Sequence, residues 1–211
     1  MSQKSPEIEL YFSFISLWAY IGSLTFQSLV KSTGATVIYK PIDLLAVFSA
    51  GGGKPVRERP LQRQAYRLVE MERWRKIRNI PLVTWPKFYP ADPSLAHRAL
   101  LAAIEANEDV TAYVHAGLKA VWADELDIAD PETILQLLDQ SGLNGQKYLS
   151  RAHEEALSVR ERKLTTEAID RQLFGAPFYF YRDEPFWGQD RLALLEDAII
   201  SDRDPILLSV R

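Results

Sequence analysis

The chain opens with a regular alternation of hydrophobic and polar residues, which predicts a β-strand. The apolar positions are Ile8, Leu10, Phe12 and Phe14, and they alternate with Glu7, Glu9, Tyr11 and Ser13. At Ile15-Ser16 the pattern changes to that of an apolar helix, carried by Trp18, Ile21, Leu24 and Phe26. A strand that runs directly into a helix places the unpaired N–H groups of the helix just beyond the strand, where they and the helix dipole favour negative charge. Ser16 lies at this junction.

A second strand follows the first helix. Gly34 is a suitable C′ residue for that helix, and residues 36–42 are rich in β-branched and aromatic side chains. Strand, helix and strand within about forty residues form a βαβ unit, so the two strands should be parallel with a right-handed crossover.

The middle of the chain has helical periodicity almost throughout, from Arg59 to about Lys163. A flexible loop at residues 49–55, with three consecutive glycines, is expected to lead into it. The first of these helices is expected to bury the apolar stripe formed by Leu61, Ala65, Leu68 and Val69. Asp92-Pro93 and Asp130-Pro131 both look like an N-cap followed by a first-turn proline. We therefore predict a helical segment of roughly a hundred residues.

Strand character returns at residues 178–181, and the polar step Arg182-Asp183-Glu184 should join this strand to Pro185-Phe186-Trp187 in a hairpin. Residues 188–191 then open a last helix carrying Leu192, Leu195 and Ile199. The predicted organisation is βαβ, helical insertion, ββα.

Composition narrows the possible functions. The 211 residues are 47% hydrophobic and 25% charged, as in an ordinary globular protein, and the net charge of −3 argues against nucleic-acid binding. No apolar run is long enough for a membrane span, and residues 1–7 lack the features of a secretory signal, so a cytoplasmic protein is expected. The chain has no cysteine, which excludes disulfides, protein thiolates and cysteine metal sites. No metal site is predicted, and sulfur chemistry would need an external thiol.

Ser16 has two interpretations at this stage. It could simply cap the helix, or it could hold an anion for chemistry. A serine without a neighbouring base is a poor nucleophile, and the only histidines are at positions 97, 115 and 153 within the helical segment. A hydrolase triad therefore has little support.

Several motifs in the chain resemble a known family. The order βαβ then ββα resembles the thioredoxin arrangement, and a helical insertion resembles its DsbA-like branch. Ser16-Leu17-Trp18-Ala19 lies where disulfide oxidoreductases carry Cys-x-x-Cys, and Phe174-Gly175-Ala176-Pro177 is similar to the cis-proline loop. Residues 186–192 resemble the glutathione-binding segment of kappa-class glutathione transferases and 2-hydroxychromene-2-carboxylate isomerases. Residues 39–44, 72–74 and 80–83 also resemble the isomerases.

The resemblance implies an α/β protein with a thioredoxin-like fold and an all-helical insertion, the architecture of DsbA and of kappa-class glutathione transferases. It implies a discontinuous thioredoxin-like domain at residues 1–50 and 165–211, with the insertion at residues 51–164. A homodimer is implied in the same way.

The resemblance also implies glutathione as cofactor. The Ser16 hydroxyl would donate a hydrogen bond to the sulfur, and Ala176 would pair with the tripeptide backbone beside Pro177. Arg63 could bind a carboxylate of glutathione or of the substrate. The residues implied in glutathione binding are Ser16, Arg63, Ala176, Pro177, Trp187, Gln189 and Asp190. Trp18, Trp85 and Tyr89 are candidates for contacting a flat aromatic substrate, although the aromatic connection around Trp85 and Tyr89 fits core packing equally well.

The chain differs from the family pattern at four places. It has Ser16-Leu17-Trp18 where Ser-Pro-Tyr or Ser-Pro-Phe is usual, and Arg63 where a lysine is common. Gly51-Gly52-Gly53 lacks the usual asparagine, and Gln189-Asp190 replaces Asn-Asp or Ser-Asp. We expect the substrate preference to differ at Leu17-Trp18.

Three functions are compatible with these observations. The first is a glutathione-dependent cis–trans isomerase of aromatic hydrocarbon catabolism, acting on 2-hydroxychromene-2-carboxylate or a similar aromatic pyruvate. The second is a kappa-like glutathione transferase, and the third is a redox-inactive thioredoxin-fold module that binds peptides. The expected partner of the first is a small aromatic carboxylate, with no nucleic acid and no membrane.

Overall fold

The computed structural model describes residues 5–208. Residues 1–4, which belong to the segment where no secretory signal was predicted, and residues 209–211 lie outside the described part of the chain. A four-stranded sheet is formed by β1 (Glu7–Phe12), β2 (Thr36–Pro41), β3 (Phe178–Tyr181) and β4 (Glu184–Trp187), in the order β2-β1-β3-β4. β1 is parallel to β2 and antiparallel to β3, and β3 is antiparallel to β4.

The predicted βαβ unit is confirmed. Between β1 and β2 runs α1 (Leu17–Thr33), which begins at the N-cap Ser16 and ends at Gly34. Gly34 has φ 65°, a left-handed conformation that glycine adopts without a side-chain clash. The parallel pairing of β1 with β2 places Ser16 at the carboxyl end of a central strand.

The middle of the chain is helical, as predicted. Its helices are α3 (Leu61–Arg78), α4 (Ser94–Glu105), α5 (Thr111–Trp122), α6 (Pro131–Gln140), α7 (Gly145–Arg151) and α8 (Glu155–Asp170). α6 begins at the predicted cap, where the Asp130 carboxylate accepts from the backbone N–H groups of Glu132 and Thr133. Small buried residues on α4, such as Ala96, Ala99 and Ala103, allow close helix packing.

The predicted C-terminal hairpin and last helix are also confirmed. The hairpin turns at Arg182 and Asp183, which both have positive φ, as a tight two-residue turn requires. After β4, a short 3-10 turn at Gln189–Arg191 leads into α9 (Leu192–Ser201). This connection packs against α1. The contact is so close that Gly22 on α1 has no space for a Cβ beside Gln189.

Three local predictions were wrong. Residues 44–50 form a helix, α2 (Leu44–Ala50), which overlaps the start of the loop predicted at residues 49–55. The Asp43 side chain caps this helix. The predicted apolar stripe of α3 is only partly buried: Leu68 packs against the core, whereas Leu61, Ala65 and Val69 are exposed. Met71 is the buried residue of that helix. Long charged residues dominate α3, so only a narrow face reaches the core. α4 begins at Ser94 rather than Pro93, with the Asp92 carboxylate accepting from the Ser94 N–H.

The strand order and the helices between β2 and β3 agree with the predicted α/β thioredoxin-like fold with a helical insertion. The division into two domains stays a prediction, and its second boundary, between residues 164 and 165, falls inside α8. Within residues 5–208, no helix is both long enough and apolar enough to span a bilayer.

Candidate active site

The site begins at the turn between β1 and α1. The Ser16 N–H donates to the Ser13 carbonyl at 2.8 Å, and the Ser16 Oγ accepts from the Ala19 N–H at 3.3 Å as the N-cap of α1. The same hydroxyl donates to the carbonyl of Ala176 at 3.1 Å. An O–H···O bond of this length is longer than the usual 2.7–2.8 Å, so the hydroxyl can exchange this acceptor for a better one at little cost. Ser16 is therefore both a helix cap and a donor.

The Ala176–Pro177 peptide bond is cis, as the resemblance implied. The Pro177 carbonyl accepts from the Gly188 N–H at 3.0 Å, which ties this loop to the segment after β4. Within residues 5–208, the Ala176 N–H has no hydrogen-bond partner, whereas its carbonyl is bound by Ser16. A free backbone N–H beside a hydroxyl donor is suited to pairing with an extended peptide.

A cavity of about 260 Å³ adjoins this loop. Ala176 and four other predicted site residues line this cavity. Glu70 and Trp74 of α3, which were not predicted as site residues, line it as well. Its lining consists of Trp18, Glu70, Trp74, Ala176, Trp187, Gly188, Gln189, Asp190 and Arg191. Indole rings and carboxylates together suit a ligand with an apolar body and an ammonium group.

Gln189 and Asp190 occupy different environments in this cavity. The Gln189 side chain is buried, and its Oε1 accepts from the Arg78 guanidinium at 3.0 Å. Burial lowers the pKa of Arg78, whose Nε has no hydrogen-bond partner within residues 5–208. Asp190 is half-exposed and forms an ion pair with Arg191. Of the two, Asp190 is the side chain that a ligand's ammonium group can reach.

Arg63 lines a second cavity, of about 470 Å³, which shares Trp187 with the first cavity. Three cations and several aromatic residues line it, and no acidic residue does; the lining is Phe48, Gly51, Gly52, Gly53, Lys54, Arg59, Pro60, Arg63, Phe174 and Trp187. Burial and the nearby charge of Arg63 lower the pKa of Arg59. This cavity favours an anion, and Trp187 lines both it and the cavity beside Ala176.

The other two predicted substrate residues are not brought to either cavity. Trp85 is 69% exposed, and the Tyr89 ring packs against Trp122 with a centroid distance of 4.7 Å. Their roles in substrate contact stay predictions. Glu70 and Trp74, which do line a cavity, were missed, although they are four residues apart on one face of α3 and Trp74 belongs to the isomerase-like motif at residues 72–74.

A buried hydrogen-bonded group lies behind the Ser16 turn. His97 of α4 contacts Ser13 through Nε2 at 3.2 Å and Glu161 of α8 through Nδ1 at 2.8 Å. A hydrolase triad had little support from the sequence because all three histidines fall in the helical segment, away from Ser16. Only the packing of the insertion against the sheet brings His97 to Ser13. Within residues 5–208, no cluster of three or more histidine and acidic side chains is suited to holding a metal ion.

The sheet, the insertion and the Ser16–Ala176 contact define a thioredoxin-fold protein whose site has a serine hydroxyl and no redox cysteine. The family model for the DSBA-like thioredoxin domain matches residues 7–200. The 2-hydroxychromene-2-carboxylate isomerase of Pseudomonas putida is 30% identical over 195 residues, covering 91% of this chain and 93% of the relative. Glutathione S-transferase kappa 1 of Caenorhabditis elegans is 25% identical over 210 residues, covering 93% and 92% of the two chains.

A solved structure of a 2-hydroxychromene-2-carboxylate isomerase matches with a TM-score of 0.77 and 28% identity, covering 92% of this chain and 95% of the other. The chain belongs to the DSBA-like thioredoxin family and, within it, to the 2-hydroxychromene-2-carboxylate isomerases.

Proposed function

We propose that the protein is a glutathione-dependent isomerase that interconverts 2-hydroxychromene-2-carboxylate, or a similar aromatic pyruvate, with its trans open-chain isomer. Its family supports isomerase activity. The observation that carries the glutathione role is the Ser16 hydroxyl, which caps α1 and donates at 3.1 Å to the carbonyl of Ala176. Ser16 itself is buried, and Ala176 is the residue through which it adjoins the indole-lined cavity. The hydroxyl is a donor that can move from that carbonyl to a thiolate.

The residues around Ser16 fit a γ-glutamyl tripeptide. The unpaired Ala176 N–H would donate to a backbone carbonyl of the tripeptide, and Asp190 would bind the α-ammonium group with the carboxylate oxygen that does not accept from Arg191. Gly175 has no space for a Cβ beside the Trp187 indole, so the loop and this ring form a close-fitting wall. Arg63 or Arg59 in the second cavity would receive a carboxylate of the tripeptide or of the substrate.

Bound glutathione would supply a thiolate that adds reversibly to the conjugated double bond and leaves after rotation about the resulting single bond. The protein's task is to hold and stabilise that charge. The Ser16 hydroxyl and the positive end of α1 favour a thiolate over a thiol, which lowers the thiol pKa. Trp18, Trp74 and Trp187 line the cavity and would present flat apolar surfaces to an aromatic ring.

The test is to follow 2-hydroxychromene-2-carboxylate by absorbance with glutathione, with S-methylglutathione and with no addition. We expect conversion only with the free thiol, and an unchanged thiol titre after many turnovers. Equal conversion in all three reactions would contradict the glutathione role.

A second function, transfer of glutathione to an electrophile, is favoured by the similarity to kappa 1 of Caenorhabditis elegans. In that case one thiol would disappear for each product formed. The thiol titre in the same reaction separates the two functions. The homodimer and the cytoplasmic location stay predictions.

A further inference from the structure

His97 is a fully buried histidine with hydrogen bonds on both ring nitrogens. Nδ1 lies 2.8 Å from Glu161 Oε1, and Nε2 lies 3.2 Å from Ser13 Oγ and 3.4 Å from the Phe14 backbone nitrogen. The ring therefore links α4 and α8 of the insertion to the turn that precedes Ser16.

The hydrogen bonds fix the proton on one nitrogen. A backbone N–H can only donate, so Nε2 must accept from Phe14 and carries no proton. With this tautomer Nδ1–H donates to the Glu161 carboxylate, and the single lone pair of Nε2 is shared between the Phe14 N–H and the Ser13 hydroxyl.

This Ser13–His97–Glu161 arrangement resembles a hydrolytic triad, but it cannot act as one. Ser13 and His97 are fully buried, and within residues 5–208 neither hydrogen-bonds to a residue that lines the cavity beside Ala176. Ser16, which is 3% exposed, does so through its hydroxyl and the Ala176 carbonyl. A nucleophile has to reach its substrate, so the arrangement must serve a different purpose.

The turn that His97 contacts is the turn that carries Ser16. The Ser13 carbonyl accepts from the Ser16 N–H at 2.8 Å. The Phe14 ring stacks on the His97 ring, with 5.6 Å between the ring centroids. Gly117 of α5 packs so closely on the Phe14 ring that it has no space for a Cβ. Both the backbone and the side chain of the turn are therefore held by the insertion.

We propose that His97 is a positioning residue for Ser16. By accepting from Phe14 N–H and Ser13 Oγ, it fixes the Ser13–Ser16 turn, so that the Ser16 hydroxyl is directed at the position of the ligand's sulfur. The inference rests on the proposed function, because the hydroxyl has this task only if a thiolate binds there. It assigns the helical insertion a part in the chemistry of a site built mainly on the thioredoxin-like sheet.

The test compares His97→Gln with His97→Leu in the full chain. The amide oxygen of glutamine can replace Nε2 as the acceptor for Phe14 N–H, whereas leucine of similar size leaves that N–H buried without a partner. The readout is the pKa of the thiol of bound glutathione, titrated through the ultraviolet absorbance of the thiolate, together with kcat and the KM for glutathione.

We expect His97→Leu to raise the bound thiol pKa and to lower kcat about tenfold, with the KM for glutathione changed less than about twofold, as for loss of part of a charge-stabilising contact. His97→Gln should recover most of both quantities. His153→Gln, at an exposed histidine, is the matched control and should leave them unchanged. If His97→Leu does not fold, Glu161→Leu compared with Glu161→Gln tests the same link, and only the leucine variant should raise the thiol pKa.

The outcomes separate this inference from the proposed function. If the wild-type protein does not lower the pKa of the bound thiol, the proposed function fails whatever His97 does. If the wild-type protein lowers it and the leucine variants lower it equally, the positioning role is overturned. Equal impairment of His97→Gln and His97→Leu would also overturn it, because the acceptor would then be irrelevant.

Discussion

The polar groups of the molecule form two contrasting regions, one in which charges are fully paired and one in which they are not. On the α8 side of the sheet, Glu9 binds Lys40 and Arg171, while Glu167 binds Lys40 and the Tyr11 hydroxyl. At the Ser16 end, within residues 5–208, Lys54, Arg59 and Arg63 have no carboxylate within ion-pair distance.

The difference indicates which region stabilises the fold and which is available to a ligand. In the paired cluster, formed by Glu9, Tyr11, Lys40, Glu167 and Arg171, both cations form ion pairs with carboxylates. Burial alone would lower the pKa of Lys40, but its hydrogen bonds outweigh burial and raise that pKa. In the second cavity, burial and Arg63 lower the pKa of Arg59 against a smaller opposing effect of Tyr89, and within residues 5–208 Arg59 forms no ion pair with a carboxylate. A region that leaves cations unpaired is the one where an anionic ligand adds stability.

Lys40→Met should have the largest effect on stability. The change leaves Glu167 without its cation and Glu9 with Arg171 alone, in a partly buried position. We expect a loss of about 2–3 kcal/mol in the free energy of unfolding, with kcat unchanged, because none of these residues lines a cavity near Ser16. Urea unfolding measures the change. Lys76→Met, which breaks an exposed pair with Glu72, is the control and should cost about 0.5 kcal/mol or less; equal losses would contradict the comparison.

The paired cluster should also govern acid stability. Burial alone would raise the pKa of Glu9, but the hydrogen bonds from Lys40 and Arg171 outweigh it, and the pKa is lowered from 4.5. The stabilisation by Glu9 is therefore present above pH 4.5 and is lost as the pH falls through the lower folded-state value. Glu9→Gln should be less stable than wild type at neutral pH, and the difference should shrink with acidification. A pH series of urea unfolding curves checks this, and a constant difference would refute it.

Arg63→Ala should have the smallest effect and should act on binding alone. Arg63 is exposed, so we expect a rise of about fivefold in the KM for glutathione or for the aromatic substrate, with unfolding unchanged. Arg75→Ala, on the same helix but paired with Glu72, which lines neither cavity, is the matched control. Which KM rises identifies whose carboxylate the cavity binds. No rise in either would show that the unpaired cations do not serve binding.

Sequence reasoning recovered the elements whose signals are local. The strand at β1, the cap at Asp130 and the hairpin at Arg182-Asp183 each depend on alternation, capping or turn residues that can be read directly from the chain. Ser16 and Ala176, 160 positions apart, were brought together only by their resemblance to a known family, and the structure places them 3.1 Å apart.

What could not be predicted depends on packing between distant segments. The stripe at Leu61 and Val69 has the right period for burial, but no layer of the fold covers that face. Gln189 looked like a ligand-binding amide, yet its oxygen is bound by Arg78 from a helix 111 positions away. His97 had no signal of its own, because its partners come from the turn after β1 and from α8.

The central claim is that the Ser16 hydroxyl holds a thiolate rather than merely capping α1, and the most direct test is glutathione-dependent isomerisation by Ser16→Ala. Loss of one donor to a developing charge should lower kcat by about 10²–10³-fold. Loss of the cap should cost only about 1 kcal/mol in the free energy of unfolding, so the variant stays folded. A Ser16→Ala protein with wild-type kcat would contradict the account.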